Sequence, residues 1–262
     1  MRIKKSSNKP NSLRTLLLFC SVVFFLIVGS LTLKTVNVLR VSRYDGEHKF
    51  TMVITGEKTT QVLSLDPNSK KINQVLFPKR IDQRNLVQRY EIPVDAYAKV
   101  SEAIAEEKRP GELFKKLLVG IQKKETNATS IDMARLWFLA KSVADSDITT
   151  ESASDTNVSF PGFFADSTID NENVTISIVN ASGISGLGTR LEHLITNTGA
   201  TVVSVTTSPT SKRTSSIAYS DDSYTLKKVG QLLGFSNEKK TEQGIADILI
   251  TIGEDSADPK QF

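Results

Sequence analysis

The chain has 262 residues, long enough for one large domain or two small ones, with 33 Lys and Arg against 29 Asp and Glu. Arg2, Lys4, Lys5, Lys9 and Arg14 all fall in the first fourteen residues; without them 28 basic residues face 29 acidic ones. A nearly neutral body lacks the clustered basic face a nucleic-acid-binding protein needs, so nucleic acid is not an expected partner. The single cysteine, Cys20, and only two histidines, His48 and His193, argue against structural disulfides, thiolate sites and histidine-based zinc.

Residues 1–14 form a basic tail without an acid, and residues 15–33 are uncharged and rich in Leu, Phe, Val and Ile. Nineteen helical residues span about 28 Å, close to the hydrocarbon thickness of a bilayer. The basic tail puts the N-terminus on the cytoplasmic side and everything after Lys34 outside, giving a single-pass anchor in the cell membrane. A cleaved signal peptide is the rival reading, but its apolar region would be unusually long and no Ala-x-Ala site follows. Cys20 follows Phe19, where a lipoprotein site would carry a small residue.

Residues 35–144 make an expected α/β middle domain. Three strands are expected at 50–55, 60–65 and 72–77, with Asp66-Pro67-Asn68-Ser69 turning the second into the third. Helices are expected over 96–108 with Asp95 as cap, over 112–123 after an interruption at Pro110-Gly111, and over 131–144 with Ser130 as cap. In the last of these, Met133, Leu136, Trp137, Ala140 and Ala144 share a face, and Trp137 reads as a core anchor.

Residues 145–172 are rich in Asp, Ser, Thr and Asn and read as an acidic linker. It is broken by Phe160-Pro161-Gly162-Phe163-Phe164, whose rings are expected to pack back on a neighbouring domain rather than recognise a partner. Sequons begin at Asn127, Asn157, Asn173 and Asn180 and would matter in a eukaryotic secretory protein.

The C-terminal domain, 173–255, is the most regular part. Val174, Ile176 and Ile178 alternate with Thr175 and Ser177, the period of a half-buried strand. Asn180-Ala181-Ser182-Gly183 breaks the pattern, Ser185 is a candidate cap, and Leu187, Leu191, Leu194 and Ile195 form one helical stripe closed by Gly199. A strand at 200–206, a Ser/Thr/Pro/Lys/Arg loop at 207–214 and a short strand at 215–219 follow. Asp221, Asp222 and Ser223 mark a second helix start, Leu226, Val229 and Leu233 its stripe, Gly234 its end, and 247–252 the last strand. The order βαββαβ suits a small α+β sandwich with both helices on one face of the sheet, and 256–262 is a polar tail. The glycines from Gly183 to Gly188 would suit a phosphate at a helix N-terminus, but no P-loop Lys-Ser/Thr follows, so a tight structural turn is the simpler reading. His193 falls on the polar side of the first helix, as a solvated residue.

The stretch VNASGISGLGTRLEHLI resembles the opening of the C-terminal domain of LytR-CpsA-Psr envelope proteins, with Asn180, Ser182, Gly183, Gly186 and Leu187 on its pattern. IAYSDDSYTLKKVGQLLG and ADILITIGED extend the resemblance over roughly 174–255. The middle region resembles a shortened, divergent core of the same family through Ile54-Thr55-Gly56-Glu57, Ser64 to Lys71, and Leu76 to Asp82. That core transfers glycopolymers from a polyprenyl-pyrophosphate carrier to the cell wall, using arginines for the pyrophosphate and acids for a divalent metal. The resemblance therefore implies Arg80, Lys79, Asp82 and Glu57 as candidates and magnesium as the metal. Such chemistry needs bidentate cations and a hard, oxygen-ligated ion. Glu57 replaces the first Asp, Lys79-Arg80-Ile81-Asp82 replaces a compact Arg-Asp, and no Arg-rich segment precedes Ala144. The expectation is a non-enzymatic envelope protein without a cofactor, whose C-terminal domain binds a wall polymer or an envelope partner. Asn180, Ser182, Gly183 and Gly186 are the candidate binding turn, and a magnesium-dependent glycopolymer phosphotransferase is the alternative.

Overall fold

The computed structural model describes residues 12–120, 125–153, 160, 162–240 and 244–257. The chain divides into two units, residues 1–42 and 43–262. The first holds one helix, α1 (Ser12–Val41), of which Leu16–Val41 is long and apolar enough to cross a membrane. It runs eight residues past the expected end at 33, because no Gly or Pro stops it between Lys34 and Val41. Most of the basic tail lies outside the described residues.

The second unit is α+β and contains two mixed sheets. Strands β1 (Phe50–Thr55), β2 (Thr60–Asp66) and β3 (Lys71–Phe77) form an antiparallel meander within a residue of expectation. The Asp66 carboxylate accepts from the N–H groups of Asn68 and Ser69 and shapes the turn between β2 and β3. After α2 (Gln83–Tyr90) comes the first correction. Residues 96–99, expected in a helix capped by Asp95, form β4 (Ala96–Lys99), parallel to β1. Two alanines favour a helix locally, yet Ala96 and Ala98 are buried in alternation with Tyr97 and Lys99, and β1 supplies the ladder. Asp95 instead accepts from the Thr51 N–H at 2.8 Å.

Only a short helix, α3 (Glu102–Ala105), remains of the expected one. Pro110 starts α4 (Pro110–Val119) rather than interrupting it, since the first helical position has no use for an N–H. Residues 121–123, the expected end of that helix, lie outside the described residues. A two-residue strand, β5 (Glu125–Thr126), pairs with β4. Helix α5 (Ser130–Ser142) is capped by Thr129, not Ser130, in a capping box with Asp132. The buried Asp132 carboxylate also accepts from the Tyr44 N–H at 3.0 Å, fixing where the second unit begins. Trp137 is half-buried beside Phe138 and Lys141, while Met133, Leu136 and Ala140 fill the core.

The second correction concerns 145–172. Its polar composition reads as a linker, but Ile148–Ser152 is β6, parallel to the edge of β3, and Ser167–Glu172 is α6. A polar edge strand needs only backbone pairing, which composition does not reveal. Residues 154–159 and 161 lie outside the described residues. Phe160 and Phe164 are buried against each other, and Phe160 also meets Phe77.

The second sheet has the order β10-β9-β11-β7-β8. It is built from β7 (Thr175–Asn180), α7 (Leu187–Thr196), β8 (Thr201–Thr207), β9 (Ser216–Tyr219), α8 (Tyr224–Leu233), β10 (Ser236–Lys239) and β11 (Ile248–Ile252). Strand β10 is an addition to the expected βαββαβ order; all four of its residues are exposed, so it carries no hydrophobic period. The stripes of α7 and α8 enter the same apolar cluster as Ile176, Ile178, Ile217 and Ile250.

The cluster does not stop at the C-terminal sheet. It continues through Ile169, Phe164 and Phe160 to Val53, Val62, Val75 and Phe77 of the first sheet. The opposite face of that sheet packs on Leu113, Phe114, Met133 and Leu136. Both faces of the first sheet are therefore filled, which is why β1 and β2 are buried at every position.

A polar seam accompanies this shared core. Lys228 of α8 reaches Asp95 at 2.7 Å and the Lys49 carbonyl at 3.0 Å. Lys49 donates to the Ala165 carbonyl at 2.8 Å, and the Tyr224 hydroxyl donates to Asp166 at 3.2 Å. Burial, with Asp166 beside it, pushes the Tyr224 hydroxyl far above its ordinary range, so it stays a donor. His193 is exposed, as expected, and meets Glu91 at 2.9 Å, joining α7 to the end of α2.

Gly199 sits at φ +98°, and a Cβ there would lie 2.9 Å from the Asp166 carbonyl. Gly199→Ala is expected to cost about 1–3 kcal/mol, read as a lowered denaturation midpoint. A midpoint within experimental error of the parent would contradict the close approach.

Candidate functional site

Three parallel strands of the second sheet, β7, β8 and β11, end side by side at Asn180, Thr207 and Ile252. The segments that follow them are tied together by backbone bonds. The Ala181 N–H donates to the Ile252 carbonyl, that of Ser208 to Asn180, that of Lys212 to Ala181, and that of Glu254 to Lys212, at 2.8–2.9 Å. The C-terminal ends of parallel strands are where open α/β sheets place ligands, because loops and helix N-termini converge there.

Within this cluster Asn180 and Ser182 face inward. Asn180, 3% exposed, donates to the Ile184 carbonyl at 2.7 Å and accepts from the N–H and hydroxyl of Ser182. The Ser182 hydroxyl in turn accepts from the Ile184 N–H. Gly183 and Gly186 hold positive φ values of 76° and 84°, and Gly186, not Ser185, occupies the cap position of α7. The bonds of these four residues shape the turn. The surface they build presents Ile184, Ser185, Lys212 and Arg213, all exposed. Lys212 and Arg213 come from the 207–214 loop, and their signal in the sequence is a Lys-Arg pair among Ser, Thr and Pro.

Below this sheet, Asp247 accepts from the N–H and hydroxyl of Thr175 at 2.8 and 2.7 Å. Those bonds hold its carboxyl below the ordinary carboxylate range. A depressed folded-state value adds stability above the unfolded pKa of about 3.9, which is lost as pH falls through the folded value. Asp247→Asn is expected to lower the thermal midpoint at pH 7 and to flatten its fall below pH 4. An unchanged acid limb would contradict the assignment.

The candidates Glu57, Lys79, Arg80 and Asp82 lie on two neighbouring connections at one end of the first sheet, where Thr60 pairs with Phe77 and the Ile81 N–H donates to the Thr60 hydroxyl at 2.9 Å. Glu57 is exposed in the turn between β1 and β2, which Glu102 holds through the Lys58 N–H and the Thr59 hydroxyl. Lys79, Arg80 and Asp82 are exposed in the β3–α2 connection, with Asp82 at the helix cap position but making no side-chain cap bond. A cleft of about 420 Å³ beside that connection is lined by Thr60, Leu76, Phe77, Pro78 and Ala105, among others, and not by Arg80, Asp82 or Glu57. Among the described residues no three His, Cys, Asp or Glu side chains group as metal ligands. Glu57 and Asp82 belong to no such group, so the residues present do not make up a protein-built site for the magnesium that the family resemblance implies.

Residues 173–255 match the family model LytR_C, described as LytR cell envelope-related transcriptional attenuator. This part of the chain is similar to the LytR_C domain. The match begins two residues before β7 and ends three residues past β11. Low similarity extends to solved structures. The transcriptional regulator yvhJ from Bacillus subtilis is 13% identical, with TM-score 0.32, covering 41% of this chain and 83% of that one. Lin1025 protein from Listeria innocua is 10% identical, with TM-score 0.31, covering 41% and 84%. B. subtilis TagU is 13% identical, with TM-score 0.26, covering 40% and 84%. No curated protein matches the chain.

Proposed function

We propose that the chain is a membrane-anchored, extracytoplasmic envelope protein of the LytR-CpsA-Psr type, which binds a cell-wall polymer through its LytR_C domain and catalyses no transfer. The observation that carries this reading is the LytR_C domain at 173–255, whose turn cluster presents Ile184, Lys212 and Arg213 on one exposed surface. The apolar helix α1 supports the anchor, and Glu57, Arg80 and Asp82 are exposed and do not line the cleft of about 420 Å³ beside them, which favours binding over transfer.

Sidedness is tested in a Cys20→Ser background with a new cysteine at Ser69, which is exposed in the β2–β3 turn. A membrane-impermeant maleimide added to intact cells is expected to label Ser69→Cys. Labelling only after lysis would place residues 43–262 inside and remove the proposal.

A further inference from the structure

Helix α5 is apolar on two sides. Met133, Leu136 and Ala140 face the core, and on the opposite side Ile131, Ala134 and Phe138 recur at i, i+3 and i+7 as a second stripe. Phe138 is 64% exposed, and Ile131 and Ala134 are half-buried. The half-buried Arg135 and the exposed Lys141 flank this stripe. The Trp137 ring stands 4.9 Å from that of Phe138, centroid to centroid. Gly111, at the start of α4, lies against Ala140 and Lys141, so the two helices run antiparallel. Val119, 84% exposed at the end of α4, therefore stands near the Ile131 end of the stripe. One exposed apolar side chain is ordinary on a protein surface. An apolar helix face with an aromatic pair and flanking cations is the pattern of a helix that lies in a membrane interface.

The path of the chain decides what covers this face. The apolar span ends at Val41, and Tyr44, three residues later, is bonded to α5 at two points. Its N–H donates to the buried Asp132 carboxylate at 3.0 Å, and its carbonyl accepts from Arg135 at 2.6 Å. Three residues of extended chain reach about 11 Å, so α5 is kept close to the end of the span. A face too small to hold a free protein on a bilayer suffices at such a range. The span already confines it to the surface, and the second contact becomes intramolecular.

We infer that the outer face of α5 lies on the bilayer that α1 crosses, with Phe138 and Ile131 among the headgroups and Lys141 and Arg135 towards anionic lipid. The inference rests on the reading of α1 as a membrane anchor and is independent of any ligand of residues 173–255.

Trp137 is the one tryptophan of the chain, so its emission reports on this face without a label. The full chain is reconstituted into vesicles of phosphatidylethanolamine and phosphatidylglycerol, with and without a lipid carrying a nitroxide high on its acyl chain. Flotation of the vesicles after an alkaline wash reads the anchor separately. The nitroxide lipid should quench Trp137 in the parent and equally in Val203→Ser, which alters an exposed residue of β8. Phe138→Ser, which leaves the core side of α5 intact, should lose most of that quenching. A chain that floats with its Trp137 unquenched, as a second copy or another protein on this face would leave it, overturns the inference and keeps the anchor. Equal quenching in Phe138→Ser and the parent also overturns it. A chain that does not float removes the anchor, and this inference with it.

Discussion

Asp95→Ala should be the most damaging single substitution in the second unit, costing about 3–5 kcal/mol of its stability. Asp95 and Lys228 are each 10% exposed at the side chain and 2.7 Å apart, so the pair lies nearly out of water. Removing the carboxylate leaves the buried Lys228 ammonium bonded to the neutral Lys49 carbonyl without its counter-charge and takes the acceptor from the Thr51 N–H. The ammonium cannot swing to solvent without disturbing α8, whose Val229 and Leu226 are in the core. Asp95→Ala/Lys228→Met should recover much of the loss, because the uncompensated charge is then gone. Urea denaturation of the full chain in neutral detergent reads both values. A loss below about 1 kcal/mol for Asp95→Ala would show that water reaches the pair.

Phe160→Ala should come next, at about 3–5 kcal/mol, the usual range for emptying a buried aromatic site. Phe160 is 6% exposed and meets Phe77 of the first sheet, Phe163 and Phe164 edge-on or tilted at 6.1–6.4 Å between centroids. It stands where the two sheets share their apolar cluster. A residue in a true linker would change stability by no more than about 0.5 kcal/mol, so the denaturation midpoint separates the two descriptions. A single transition shifted by Phe160→Ala indicates one cooperative core; two transitions with only a small shift would contradict it.

The elements that were legible from the residues are those whose period is local. The alternation of Val174, Ile176 and Ile178, the stripe of Leu187, Leu191 and Leu194, and the β1–β3 meander around Asp66-Pro67 appear where expected. Elements defined by their partners were not. Ala96–Lys99 is a strand because β1 lies beside it, Ile148–Ser152 because β3 does, and Ser236–Lys239 because β9 does. None of these carries a sequence period strong enough to announce itself.

The same division holds for the candidate site. The Asn180–Gly186 turn was visible from its Asn, Ser and Gly residues, but their bonds turn inward. The exposed surface is completed by Lys212 and Arg213, some thirty residues later, through backbone bonds to Ala181 and Glu254.

The most direct test of the account is cosedimentation of the full chain with purified cell-wall sacculi, comparing the parent, Lys212→Ala/Arg213→Ala and Arg80→Ala. Saturable binding that weakens about tenfold in the first variant and is unchanged in Arg80→Ala is the predicted result, tenfold being about 1.4 kcal/mol of lost contact. Absence of saturable binding, or binding lost in Arg80→Ala and kept in Lys212→Ala/Arg213→Ala, would contradict it.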